Sequence, residues 1–133
     1  MTSYTITTTL TRPYEETVQA VREALGEQGF GILTEIDLKD ALKQKLDVDI
    51  EPQIILGACR PPLAHEAIQA EPSIAAVLPC NVVVRSVGEG STVVEAFDPD
   101  AMMGLADNEA LHKVATDAKQ RITAAFAALD NQS

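Results

Sequence analysis

The sequence is short of several things, and each shortage removes a class of function. Bases are scarce: ten Lys and Arg stand against twenty Asp and Glu, a net charge of −10 over 133 residues. A surface that negative repels phosphate backbones, so no nucleic-acid partner is expected. Anionic membrane surfaces are disfavoured for the same reason. The acidity itself is read as a device for solubility. No apolar run approaches the roughly 18–20 residues that a spanning helix needs, so no membrane partner is expected. The first ten residues, MTSYTITTTL, carry neither a basic region nor an apolar core, so no signal peptide is expected and the expected location is cytoplasmic.

Catalytic and cofactor signatures are missing too. The chain has no GxxxxGK[ST], no GxGxxG and no GxSxG. It has no CxxC, which excludes a thioredoxin-type dithiol. The two cysteines, Cys59 and Cys80, and the two histidines, His65 and His112, match no zinc-finger or ribbon spacing. In a reducing compartment two cysteines are expected as thiols.

What is present is a chain 46% apolar with ordinary charge content, long enough to bury a core as one domain over residues 1–133. Residues 4–10 alternate, with Tyr4, Ile6, Thr8 and Leu10 on one face and three threonines on the other, the mark of a half-buried strand. The period then changes. Tyr14, Val18, Val21 and Leu25 fall on one helical stripe, opened by Pro13 and closed near Gly26 and Gly29. A second strand spans 30–36, and a short helix over 37–46 follows with Asp37 as its N-cap. Residues 53–59, QIILGAC, are apolar on both faces, as in a strand buried on two sides. A helix opened by Pro61 and Pro62 stops before Pro72. Residues 81–87 and 91–97 flank GEG as a hairpin. The last helix, about 108–129, carries a long apolar face from Leu111 to Leu129 and is capped by Asp107 or Asn108.

The order β-α-β-α-β-α-β-β-α predicts an α+β fold: a mixed or antiparallel sheet of about five strands with helices mainly on one face. That packing leaves the second face of strands 53–59 and 81–87 apolar. A partner subunit, making a homodimer, is the leading expectation for what covers it; a ligand cavity or the short helices are the alternatives.

Any site is expected around the cysteines. Cys59 ends a buried strand just before a helix start, a position that favours thiolate and where α/β proteins bind ligands. Cys80 begins the next strand. If the two strands run antiparallel, both thiols come to the same sheet edge and can meet. Each cysteine also has a plain reading as a small buried hydrophobe. His65 sits at the edge of its helix stripe and is a candidate base for a Cys59 nucleophile, its plain reading being a surface residue. Asp98, before Pro99, is a turn former that would also put a carboxylate at the sheet edge. Met102 is gap-filling core or, with Cys59, Cys80 and His65, one of a soft-metal set of the copper(I) type. His112 is read as surface.

The segments GFGILTEIDL, ILGACRPPLAHEAI, LPCNVVV and AFDPDAMMGL, in this order over about residues 4–129, resemble the family called domain of unknown function 302. The resemblance implies a small α+β fold with a curved sheet, like the TATA-box-binding-protein arrangement β-α-β(4)-α, and a homodimer. It implies no activity, substrate or cofactor. The family's motif after the first cysteine reads Cys-Asn-Pro, and this chain has Cys59–Arg60–Pro61. The positions carried over as a candidate ligand site are Cys59, Pro61, His65, Cys80, Asn81 and Asp98. Gly29, Phe30, Gly57 and Pro79 are carried over as structural. Three functions follow as expectations: a homodimeric module binding a small ligand, soft metal or sulfur-bearing group; a thiol-dependent enzyme or sulfur carrier; or a structural interaction domain without a small-molecule site.

Overall fold

A computed structural model describes residues 4–104 and 108–132. The chain runs β1 (Thr5–Leu10), α1 (Tyr14–Glu27), β2 (Gly31–Asp37), α2 (Leu38–Leu46), β3 (Gln53–Cys59), α3 (Pro61–Ala70), β4 (Cys80–Gly88), β5 (Ser91–Phe97) and α4 (Glu109–Gln132), with 3₁₀ turns at Pro72–Val77 and Pro99–Gly104. The five strands form one open sheet in the order β1-β5-β4-β3-β2, and every neighbouring pair is antiparallel. This is the α+β arrangement expected from the sequence. With α2 and α3 set aside as insertions, the elements follow β-α-β(4)-α.

Alternation along the strands decides which face is buried. Leu56 and Ala58 of β3, Val82 and Val84 of β4, and Val94 and Ala96 of β5 point to one side and are sealed from water. Against them lie Ala20, Val21, Ala24 and Leu25 of α1 and Ile122, Ala125, Phe126 and Leu129 of α4. A second cluster joins α3 to the first half of α4: Leu63 and Ala67 meet Leu111, Val114 and Ala118, with Ile74 of the first 3₁₀ turn. So α3 lies with the long helices and does not wrap over the opposite sheet face.

The helix ends follow local chemistry. Asp37 accepts from the Asp40 amide at 3.0 Å and caps α2. Asn108 accepts from the amides of Ala110 and Leu111 and caps α4, while its Nδ2 donates to the Ala70 carbonyl and ties that cap to the end of α3. The alternative cap, Asp107, lies outside the described residues. His112 departs from its reading as a surface side chain: it is half-buried, and its Nε2 is enclosed without a hydrogen-bond partner among the described residues.

The outer sheet face is mixed. Glu95 holds its centre, accepting from the Thr5 hydroxyl and from Arg85 Nη1 at 2.6 Å each. The Thr5 hydrogen bond first, and Arg85 second, hold this carboxyl below the usual carboxylate range. Beside it Val83 and Ile55 are half-buried, and Ile36 on the adjoining edge strand is 48% exposed.

Gly57 is where β2, β3 and the start of β4 press together. It pairs with Thr34 across a bulge in β2 and with Asn81 of β4. A Cβ at this position would lie 2.1 Å from Thr34 Oγ1 and 2.8 Å from Pro79 Cγ. Gly57→Ala therefore forces two rigid neighbours apart, and we expect it to cost about 2 kcal/mol, within the range for overpacking. Adding Thr34→Ala should recover part of that loss. Urea denaturation of the single and double variants measures both, and an unchanged midpoint in Gly57→Ala would refute the tight contact.

A candidate binding cleft at two neighbouring thiols

The β3–β4 register brings both cysteines to one edge of the sheet. Ala58 pairs with Cys80, so Cys59 is a diagonal neighbour of Cys80 across the two strands and not its direct partner. The antiparallel pairing places the end of β3 and the start of β4 at the same sheet edge, as the sequence required for the thiols to meet. Both are free thiols, both are half-buried, and both line one cleft.

The cleft lies between the sheet edge and the α3–α4 pair. Phe30 and Ala58 form its sheet side, Leu63 and Ala67 its α3 side, and Val114 and Ala118 its α4 side; Leu78, Pro79 and Pro99 close the ends. Its walls are almost wholly apolar. Its cavity volume is about 30 Å³, room for one very small group. Arg60 is among the residues that line it. Its side chain runs along the chain at Gly29, where a Cβ would meet Arg60 Nε at 3.1 Å. Gly29 also has φ +89°, so conformation and space both favour glycine there. Among the described residues no carboxylate pairs with Arg60.

The electrostatics of the thiols follow from these walls. Burial pushes the Cys59 thiol up. Cys80 is pushed up by burial first and by a negative charge on Cys59 second. A raised pKa keeps both groups as thiols near neutrality, the opposite of what a nucleophile needs.

The other candidate residues are scattered. Pro61 is exposed at the first position of α3, where its missing N–H costs nothing. His65 is exposed on α3 and does not line the cleft, whose α3 wall is Leu63, Ala64 and Ala67. Asn81 points to the outer sheet face, in a shallow hollow with Tyr4, Thr5 and Glu95. Asp98 is occupied elsewhere: its Oδ2 lies 3.3 Å from Lys119 Nζ, and its Oδ1 accepts from the Asp100 amide at 2.9 Å. That pairing fixes the turn after β5 to α4. The Met102 side chain lies outside the described part of the structure. Among the described residues no three of His, Cys, Asp and Glu converge as a metal set, so His65 does not join the two cysteines. Sequence reasoning missed the α4 wall. The small residues of α4 carried a signal only as core, because nothing local says that Val114 and Ala118 face α3.

These features define a small antiparallel α+β protein with a thiol-bearing apolar cleft at the sheet edge. The match to the family model Domain of unknown function DUF302 covers residues 6–129, and the chain belongs to that family. The crystal structure of an uncharacterized conserved DUF302 protein from Bacillus stearothermophilus has the same fold, with a TM-score of 0.84 at 27% identity over 97% of this chain and 98% of the other. No match was found among curated proteins.

The thiol chemistry has a definite sign. A thiol whose pKa is raised in the folded state adds stability that is full below the unfolded value, about 8.5, and is lost as pH rises through the folded value. We expect the wild type to lose more stability between pH 8 and pH 10 than Cys80→Ala does, measured by urea midpoints. Alkylation of Cys80 in the Cys59→Ala background should have a pH midpoint above 8.5, because burial remains when the neighbouring charge is removed. A midpoint below 8 would mean an activated nucleophile.

Proposed function

We propose that this protein is a binding module without catalysis of its own, and that the cleft at Cys59 and Cys80 holds a small apolar or soft group. The observation that carries this reading is the pair of thiols sharing one apolar cleft between the sheet edge and α3. A cleft whose walls offer almost no polar atoms selects for shape and softness and against charge and hydrogen bonding. The thiol-enzyme alternative is less well supported: the thiols are shifted the wrong way for attack, and His65 is not positioned to act as their base.

In this reading the protein works as a homodimer in the cytoplasm. The outer sheet face supports the dimer. Ile55 and Val83 sit there beside the exposed Ile36, and α1, α3 and α4 all pack on the other side. A two-fold partner laid against this face would bury those side chains. A reducing compartment suits two free cysteines, and among the described residues no helix is long and apolar enough to cross a membrane.

Two measurements test the reading. Titration with very small apolar probes such as xenon, followed by methyl NMR, should shift Ala58, Ala67, Val114 and Ala118, and Ala64→Phe, which plugs the cleft from a half-buried position, should abolish those shifts. Cleft methyls that ignore every probe would remove the binding reading. Sedimentation should give the mass of two chains for the wild type and of one for Val83→Lys. A monomeric wild type would remove the dimer.

A further inference from the structure

We propose that the open edge of β1, with the flank of α4 beside it, is a second two-fold contact between copies of this chain, joining their sheets β1 to β1. It lies apart from the outer sheet face and goes beyond the dimer proposed above.

The two edges of the sheet differ. β2 is blunted: a bulge between Ile32 and Thr34 breaks its register, and Glu35 and Asp37 put charge on it. β1 has no such guard. Its sequence TITTTL keeps unbroken register with β5 over six residues and carries no charge, glycine or proline. Among the described residues it pairs with β5 alone. The Asp98 amide donates to the Tyr4 carbonyl at 2.8 Å, which makes Tyr4 and Asp98 a hydrogen-bonded pair. By alternation Ile6, Thr8 and Leu10 bond to β5, while Thr7 and Thr9 turn their N–H and C=O outward. Both residues are exposed. A strand edge left in this state is a template for another strand.

Charge and symmetry assign that strand to a second copy. Copies of a chain of net charge −10 repel one another, except where the meeting surfaces carry no net charge. β1 is uncharged. The groove along α4, about 570 Å³, is lined by Thr116, Gln120, Thr123, Ala124 and Ala127, and its two charged residues, Lys119 and Asp100, are paired to each other. The same flank of α4 is tied to β1, where Asp130 accepts from the Thr8 hydroxyl at 2.5 Å, and to the turn after β5 through Lys119 and Asp98. Edge and groove are therefore neighbours. A two-fold axis at Thr7 pairs its backbone with that of Thr7 of the partner subunit, and the small side chains of the groove let the two α4 helices approach.

The test is sedimentation equilibrium and amide hydrogen exchange of the full-length protein, from dilute solution up to about 1 mM, the range suited to a contact made mainly of backbone hydrogen bonds. The expected wild-type mass doubles with concentration, while exchange at the Thr7 and Thr9 amides slows at least about tenfold. Thr7→Pro removes an outward N–H, and Thr7→Lys keeps it but sets like charges opposite each other across the axis; both should hold their dilute mass throughout. Thr7→Lys decides if the proline variant does not fold. Val83→Lys, on the other surface, should still double. A constant wild-type mass, doubling that persists in Thr7→Lys or is lost in Val83→Lys, or Thr7 and Thr9 amides that exchange at one rate throughout would overturn the proposal. So would protection of those amides by an added valine-rich hexapeptide and not by the chain's own concentration, which would assign the edge to a foreign strand. If wild type and Val83→Lys share one mass in dilute solution, the dimer through the outer face falls and the edge contact is judged on the doubling alone.

Discussion

The register between β3 and β4 is the constraint on which the rest depends. Ala58 faces Cys80, and this single pairing puts Leu56 opposite Val82 and Ile54 opposite Val84 on the helix side. Because side chains alternate with period two, slipping the register by one residue would turn these apolar residues outward. The register is held from the side as well. Gly57 leaves room for Thr34 and Pro79, so β2 and the entry to β4 close on β3 at one place. The core and the cleft are consequences of the same alignment.

The helices complete what the alignment begins. α1 and the second half of α4 fill the centre of the sheet, while α3 and the first half of α4 stand beyond its edge. The cleft lies at the junction of these two clusters, where neither fills the space completely. Ties across that junction are polar and local. Lys119 is paired to Asp98 and Asp100 from the turn after β5, Asn108 bonds the end of α3, and Arg121 donates to the Gln28 carbonyl at the end of α1. α4 is thus fastened along its length to three separate parts of the chain. Apolar burial provides most of the stabilisation, and these contacts determine position.

Most of the fold was legible because its signals are local. The period change between Leu10 and Tyr14, the Asp37 cap and the proline pair before α3 each specify an element without reference to the rest of the chain. The strand at 53–59 was legible from its two apolar faces, and its antiparallel pairing with β4 answered the one geometric question the cysteines posed. The site was legible only in part. Cys59 and Cys80 were found because residue type and strand position coincide. Pro61, His65, Asn81 and Asp98 were grouped with them by nearness in sequence, and the structure distributes them over a helix end, an exposed helix face, the opposite sheet face and an ion pair. Direction along a strand and rotation about a helix decide such things, and neither is encoded within a few residues. The α3–α4 wall was invisible for the same reason, being made by residues some fifty positions apart.

The contact between Gly29 and Arg60 couples two parts of the chain that share no secondary-structure element. The glycine ends the turn from α1 into β2, and the arginine begins α3, yet their atoms compete for one space. A side chain at position 29 would therefore have to displace Arg60. A larger residue at 29 would push the Arg60 side chain aside, and a shorter one at 60 would release the turn from its need for glycine on grounds of space, leaving only the backbone conformation to demand it. The course of the Arg60 side chain is set partly by a residue that carries no side chain at all.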